Sequence, residues 1–297
     1  MESSKRIVPN KRSKRIENLA QELETLFNSY HRKELMLRDP LGLVNAKLNP
    51  YDFELVSFVS AGLSYGRVEQ IQKSLIELWK RLEKIGLGSG GEGLHSFLVD
   101  NSWKKIEKEI QFALKGWVHR FNSSDDIVAL FEVFKNLSIK HESLGALYSL
   151  VSSDDSEIKI NEFCLNLRKG VSCPQKRDRV RWFSCAPFEG STCKRLMMWL
   201  RWVLRSDDID PGLWTRKKVK LNSDVGPHEC FIPMDTHVHR WALKRNLLTT
   251  KNPSWKAVRE FTNVLKQVDP LDPIRFDFSI CHQGMESFRK QKDSAIS

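Results

Sequence analysis

Apolar residues in this chain recur at intervals of three and four and almost nowhere at an interval of two, so its hydrophobic surface has to be buried as helices rather than as half-exposed strands. The sharpest case follows Lys194. Leu196, Trp199, Leu200, Val203 and Leu204 fall at i, i+3, i+4, i+7 and i+8, which predicts an amphipathic helix over 194–205 with one buried stripe. The same spacing predicts helices over 16–30, where Ile16, Leu19, Leu23, Leu26 and Phe27 share a face, and over 52–64, 67–85, 102–120, 125–141, 145–151, 158–168, 235–246, 254–268 and 273–288. Arg38-Asp39-Pro40 and Asn49-Pro50 mark an extended connector, because a residue before proline is pushed out of helical geometry. The glycine run between Gly86 and Gly93 ends a helix instead of joining a strand to one, so it predicts a flexible loop and not a phosphate cradle. Residues 170–190, basic and broken by Pro174 and Pro187, predict irregular chain, and 207–230 predict a loop. The expected fold class is all-α, with a basic flexible arm over 1–15, one helical domain over 16–290 and a tail over 291–297.

A chain of 297 residues buries a substantial core without staples. No apolar run approaches the ~20 residues of a membrane span, and the polar, basic start has no apolar segment behind it, so a cytoplasmic protein without membrane contact is expected. The six cysteines include no C-x-x-C pair and are expected to be reduced thiols, mostly buried. The formal charge of +11 favours a polyanionic partner, since clustered Lys and Arg gain by releasing counterions from phosphates. Three clusters carry that charge: Lys5, Arg6, Lys11, Arg12, Lys14 and Arg15; Lys176, Arg177, Arg179 and Arg181; and Lys217, Lys218 and Lys220.

Two segments offer chemistry. Asp235, two residues after Pro233, opens a helix that its side chain can cap while one oxygen stays free. Lys194 falls in the first turn of the 194–205 helix, behind a Ser191 or Thr192 N-cap, where the helix dipole and burial against Leu196 and Trp199 disfavour the ammonium form. An amine and a carboxylate that meet at one sugar carbon can break a glycosidic bond: the amine attacks C1′, and the carboxylate stabilises positive charge on the ring. Taken singly, the aspartate reads as a cap and the lysine as a solvated side chain.

The stretch Pro233-Met234-Asp235-Thr236-His237-Val238-His239-Arg240 resembles the catalytic-aspartate segment of the helix-hairpin-helix DNA glycosylases with the Gly/Pro-Asp motif, the superfamily of endonuclease III. Gly190-Ser191-Thr192-Cys193-Lys194, followed by Leu200-Arg201, resembles the nucleophile segment of its 8-oxoguanine glycosylase branch. A closer resemblance covers residues 40–285. Ser60-Ala61-Gly62-Leu63-Ser64-Tyr65-Gly66-Arg67, Asp210-Pro211-Gly212-Leu213-Trp214 and Cys281-His282-Gln283-Gly284-Met285 are similar to an uncharacterised bacterial family with a domain of unknown function.

These resemblances imply a two-lobed helical architecture with Lys194 as Schiff-base nucleophile and Asp235 as its catalytic partner. They imply Gly190, Ser191, Thr192, Arg195, Arg201, His237 and Arg240 as DNA or substrate contacts, and a monomer acting on double-stranded DNA, on an oxidised purine by the branch resembled. No cofactor and no metal are implied, and no four-cysteine iron–sulfur motif follows the aspartate. The sequence also departs from the glycosylases. The second glycine of their hairpin is replaced by Thr192, and Asp235 follows Lys194 by 41 residues, a longer interval than theirs, with the extra length in 207–230.

Two alternatives stand beside this reading. A non-catalytic nucleic-acid binder would use Lys194 as a phosphate contact, with Trp199, Trp202, Trp214 and Trp241 either stacking on a base or filling the core. A metal-dependent hydrolase would draw ligands from His228, Cys230, His237, His239, Cys281 and His282, although His237 and His239 point ~200° apart on a helix.

Overall fold

The structure is a computed structural model that describes residues 11–44 and 46–294. Besides six short 3-10 helices, the regular structure among those residues consists of thirteen α-helices and one short hairpin: α1 (Lys11–Tyr30), α2 (Pro50–Gly62), α3 (Val68–Leu82), α4 (Leu94–Asp100), α5 (Trp103–Ala113), β1 (Val118–His119), β2 (Asn122–Ser123), α6 (Ser124–His141), α7 (Leu144–Ser149), α8 (Ser156–Arg168), α9 (Pro174–Phe183), α10 (Lys194–Leu204), α11 (Thr236–Lys244), α12 (Trp255–Val268) and α13 (Asp277–Ser294). The all-α expectation holds at that level. No helix among the described residues is long and apolar enough to cross a membrane.

Helices α2 and α10 form the centre. Asn49 starts α2 by accepting the amides of Tyr51 and Asp52, with Pro50 at the first helical position. From Asp52 to Gly62 every residue of α2 is buried. α10 lies against it, with Trp199 edge-on to Phe58 at 4.8 Å and its indole nitrogen 3.1 Å from Ser57 Oγ. The expected single stripe on α10 proves too narrow. Met197, Met198, Arg201 and Trp202 are buried along with Leu196, Trp199, Leu200, Val203 and Leu204, so α10 is internal on all sides. Trp199, Trp202 and Trp214 are therefore core residues with no face for a nucleobase.

Several boundaries differ from the sequence expectation, each for a local reason. α1 begins at Lys11, five residues early, while residues 1–10 of the expected arm and 295–297 of the expected tail lie outside the described residues. The glycine run is a pinned turn. Asp52 accepts the amides of Gly93 and His95 at 2.7 Å each, and a side chain at Gly91, where φ is 92°, would meet Val56 at 2.6 Å. Helix α5 stops at Ala113, and the hairpin β1–β2 takes the place of the expected helix end; Tyr65 Oη holds it, 2.8 Å from His119 O and 2.7 Å from Asn122 Oδ1. Helix α9 occupies the stretch expected to be irregular. Only Val180 and Phe183 of it are fully buried; Trp182 packs beside the core, and ion pairs of Lys176 and Arg179 hold the rest.

The 207–230 segment does loop out as expected, fastened by Trp214, by Asp210 on Arg201 and Arg205, and by Asn222 and Ser223 on α7. Trp214 donates to Glu54 Oε1 at 2.7 Å, and its backbone amide bonds Val203 O at 2.8 Å. Glu54 also accepts the amides of Leu144 and Gly145 at the start of α7. Burial pushes its carboxyl up to about 7 against the pull of those hydrogen bonds.

Candidate active site

The chain enters α11 through the buried segment Ile232-Pro233-Met234, tied down where Ile232 donates to Thr262 Oγ1 at 3.1 Å. Asp235 is the N-cap. Its Oδ1 accepts the amides of His237 and Val238, both at 2.8 Å, so the aspartate does the capping that its position alone suggests. Its other oxygen is turned toward α10 and α13. Lys194 Nζ stands 3.7 Å from Oδ2, and the Cys281 thiol donates to Oδ2 at 3.3 Å. The 41-residue interval is thus spanned, and the two groups meet. Burial works against the Asp235 carboxylate. The Lys194 charge, the Val238 amide and the Cys281 thiol outweigh it and hold the carboxyl below its usual range.

Lys194 is the first residue of α10, and Cys193, not Ser191 or Thr192, is its N-cap. Cys193 takes a left-handed conformation at φ 48°, and Ser191 Oγ accepts its amide at 3.1 Å. The lysine side chain remains 36% exposed, so it is not packed away against the apolar stripe.

Below the pair lies a buried ionic network. Arg201, 2% exposed, binds Asp277 at 2.5 Å and Asp210 at 3.2 Å, and stands 4.0 Å from Asp39. Arg205 continues it to Asp210, Asp207 and Asp272. Burial pushes Asp277 up to about 7; Arg201 opposes this and the Asp235 charge adds to it. Arg201, expected to contact DNA, is therefore committed to carboxylates inside the protein.

Lys194 and Asp235 line a cavity of about 1020 Å³, together with Ser191, Thr192, Arg195, Arg201 and His237 of the expected set. Gly190 and Arg240 are not among its walls. The Gly190 carbonyl accepts the amide of Trp255, and Arg240 is exposed on α11. Arg195 is only partly available: it donates to the carbonyls of Gly62 and Trp182 and lies 4.2 Å over the Trp182 ring. Glu189 turns away from the cavity to Arg168 and Arg181, which pull it down to about 2 with help from the Ala186 amide against its burial. His282 joins the wall, 4.2 Å from Phe278.

Several residues went unnoticed in the sequence. Tyr65 and Trp182 line the cavity 5.3 Å apart, Phe121 stands beside both at the hairpin tip, 75% exposed, and Arg120 lies 5.6 Å over the Tyr65 and Phe121 rings. This cluster joins β1–β2, α9 and the turn after α2, which are far apart in sequence, so only the Tyr65-Gly66-Arg67 motif signalled it. Asp277 likewise gave no sign, because its setting comes from α10.

Part of the basic clusters is paired within the chain. Lys176 bridges Glu107 and Glu132, Arg179 pairs with Asp125 and Asp126, Lys217 with Asp224, and Lys220 with Glu142. Arg15 donates to the carbonyls of Arg245 and Asn246. Lys5 and Arg6 lie outside the described residues. His237 faces the cavity, whereas His239 is 5% exposed with burial lowering its pKa. Among the described residues no group of three or more His, Cys, Asp or Glu side chains is arranged to hold a metal ion.

A family described as "Protein of unknown function (DUF2400)" matches residues 39–286. No curated protein and no solved structure matches the chain.

Proposed function

The chain belongs to the DUF2400 family, whose description states no activity, and from the Lys194–Asp235 pair together with the resemblance of its two segments to the helix-hairpin-helix glycosylases we propose that the protein is a DNA-repair-type glycosylase and abasic-site lyase with Lys194 as nucleophile and Asp235 as its carboxylate partner. The observation that carries this reading is the 3.7 Å approach of Lys194 Nζ to Asp235 Oδ2 in the wall of a cavity large enough for a nucleoside. The Lys194 nitrogen attacks C1′, giving up its proton to solvent, and the base departs with the bonding electrons and takes up a proton. Asp235, held as a carboxylate, stabilises the positive charge that develops on the sugar ring. The covalent product rearranges to a Schiff base, from which strand cleavage at the abasic site follows.

Other residues of the cavity wall support the reading. Tyr65 and Trp182 bring aromatic rings, and Arg67 brings a cationic group suited to phosphate. An oxidised purine is the substrate that the resembled branch implies. A non-catalytic nucleic-acid binder of the same fold would keep these walls, with Asp235 as the cap of α11 and Lys194 as a phosphate contact.

Reductive trapping tests the proposal. Duplexes carrying an abasic site or 8-oxoguanine are incubated with the protein, and borohydride is added. A covalent adduct that disappears in Lys194→Gln is the expected result. An adduct unchanged in that variant, or none on either duplex, rejects the assignment.

A further inference from the structure

Three of the six cysteines gather behind the α10 N-terminus, and two of them face one hydroxyl. Cys185 Sγ lies 2.9 Å from Ser191 Oγ, and Cys193 Sγ lies 3.7 Å from the same oxygen. Both residues line the cavity that holds Lys194, Cys185 half-buried and Cys193 buried. The third, Cys164, is fully buried beyond them with its thiol directed at the Cys185 carbonyl, 3.9 Å away.

We propose that Cys185 and Cys193 are a peroxide-oxidised dithiol, a modification site whose disulfide forms directly before Lys194 and moves that lysine away from Asp235.

The chain between the two cysteines is already folded back on itself. Pro187–Glu189 makes a 3-10 turn, Gly190 turns left-handed at φ 82°, and Glu189 is clamped by Arg168, Arg181 and the Ala186 amide. Closing the bond therefore costs little chain entropy. The two sulfurs also differ in character. The neighbouring Cys193 thiol and Ser191 bring Cys185 down to about 6 against its burial, whereas the nearness of Cys185, together with burial, raises Cys193. One is the attacking thiolate and the other the resolving thiol.

The Cys185 thiolate attacks one oxygen of the hydroperoxide, the O–O bond breaks, and the departing oxygen takes up a proton and leaves as water or alcohol. Cys193 sulfur then attacks the sulfenic sulfur; its proton passes to the hydroxyl, which leaves as water, and the S–S bond forms. Two thiols are oxidised by two electrons as one peroxide is reduced. The cost falls on geometry. Ser191 Oγ stands against both sulfurs and accepts the Cys193 amide, so bringing the sulfurs into bonding distance displaces that hydroxyl and removes the contact that fixes the N-cap. Cys193 precedes Lys194 directly, and a lysine misplaced by about an ångström loses on the order of 100-fold in reactivity toward a bound sugar.

The disulfide rests on the thiol geometry alone, while its effect on chemistry rests on the glycosylase reading. The full-length protein, fully reduced, is treated with hydrogen peroxide, its remaining thiols are alkylated, and the digest is mapped by mass spectrometry. The expected product is a Cys185–Cys193 cross-linked peptide that dithiothreitol reverses. Cys193→Ser should stop the reaction at a sulfenic acid on Cys185, trapped by dimedone, and Cys185→Ser should leave Cys193 unoxidised. Both thiols alkylated after peroxide, or oxidation confined to Cys173 or Cys281, overturns the proposal. The oxidised protein is then compared with the reduced protein in borohydride trapping, and separately in the rate at which acetic anhydride labels Lys194. A cross-link that changes neither rate overturns the coupling to Lys194. A cross-link that alters labelling, in a protein that forms no DNA adduct in either state, supports the switch and rejects the glycosylase instead.

Discussion

Asp235 carries two burdens on two oxygens, and substitution separates them. Asparagine keeps an Oδ1 that accepts the amides of His237 and Val238, and it ranks with aspartate as an N-cap. It places an amide NH₂, a donor, where Oδ2 faced Lys194 and Cys281. At 3.7 Å and an effective dielectric of about 20, unit charges attract by about 4 kcal/mol. A lysine that is 36% exposed can swing into water, which reduces the net loss to about 1 kcal/mol. Asp235→Asn should therefore destabilise by about 1 kcal/mol at pH 7, a fall in Tm of about 2 °C for a chain of this length. Asp235→Ala loses the cap as well, about 1 kcal/mol more.

The pH dependence identifies the electrostatic part. A carboxyl whose folded pKa lies below the ordinary 3.8 contributes stability that is complete above that value and lost as pH falls through the depressed one. The gap between wild type and Asp235→Asn in urea denaturation should therefore close as pH is lowered through the carboxylate range. The gap between Asp235→Asn and Asp235→Ala should persist. Equal destabilisation by both variants, or a wild-type gap that ignores pH, would refute the division of labour between the two oxygens.

Glu54, fully buried and raised from 4.5 to about 7, has the opposite sign: its contribution is complete below pH 4.5 and lost as pH rises to about 7, a change of about 3 kcal/mol. Glu54→Gln should accordingly compare worst with wild type at and below pH 4.5 and recover ground by pH 7 and above in denaturation curves; a constant difference would contradict it. Arg201→Met strands Asp277 and Asp210 in the interior, and a loss of about 3–5 kcal/mol in urea unfolding is expected. A change below about 1 kcal/mol would mean that the network is already neutralised without the arginine. Gly284→Ala puts a methyl 2.6 Å from His237 Cβ, which should cost about 1–3 kcal/mol by prying α13 from α11; unchanged thermal stability would count against that close packing.

The helical class and most helix cores were legible because they depend on local spacing, and so was the capping role of Asp235. What escaped depends on partners far away in sequence. α9 looked irregular because its hold comes from Lys176 on Glu107 and Glu132 and from Arg179 on Asp126, pairings that no periodicity records. The glycine run looked flexible because the carboxylate that pins it, Asp52, stands in another helix. Arg201 looked like a DNA contact because its motif neighbour is Lys194, while its three aspartates come from Asp39, Asp210 and Asp277. The pairings inside the basic clusters were hidden for a related reason. Net charge counts cations without showing which acids they face.

Helix α1 lies outside the span that the family matches, yet Leu19, Leu23 and Leu26 sit in the same core as α12 and α13, Phe27 stands edge-on to Phe276, and Tyr30 donates to Glu286 at 2.6 Å. The edge of shared ancestry and the edge of the folding unit do not coincide. A chain trimmed to 39–286 would leave an apolar trough open beside the helix that supplies Cys281 and Asp277, and a relative without α1 needs some other cover for that trough. Family boundaries are thus a poor guide to where this protein can be cut, and the site would register such a cut from the back of the helix that forms its floor.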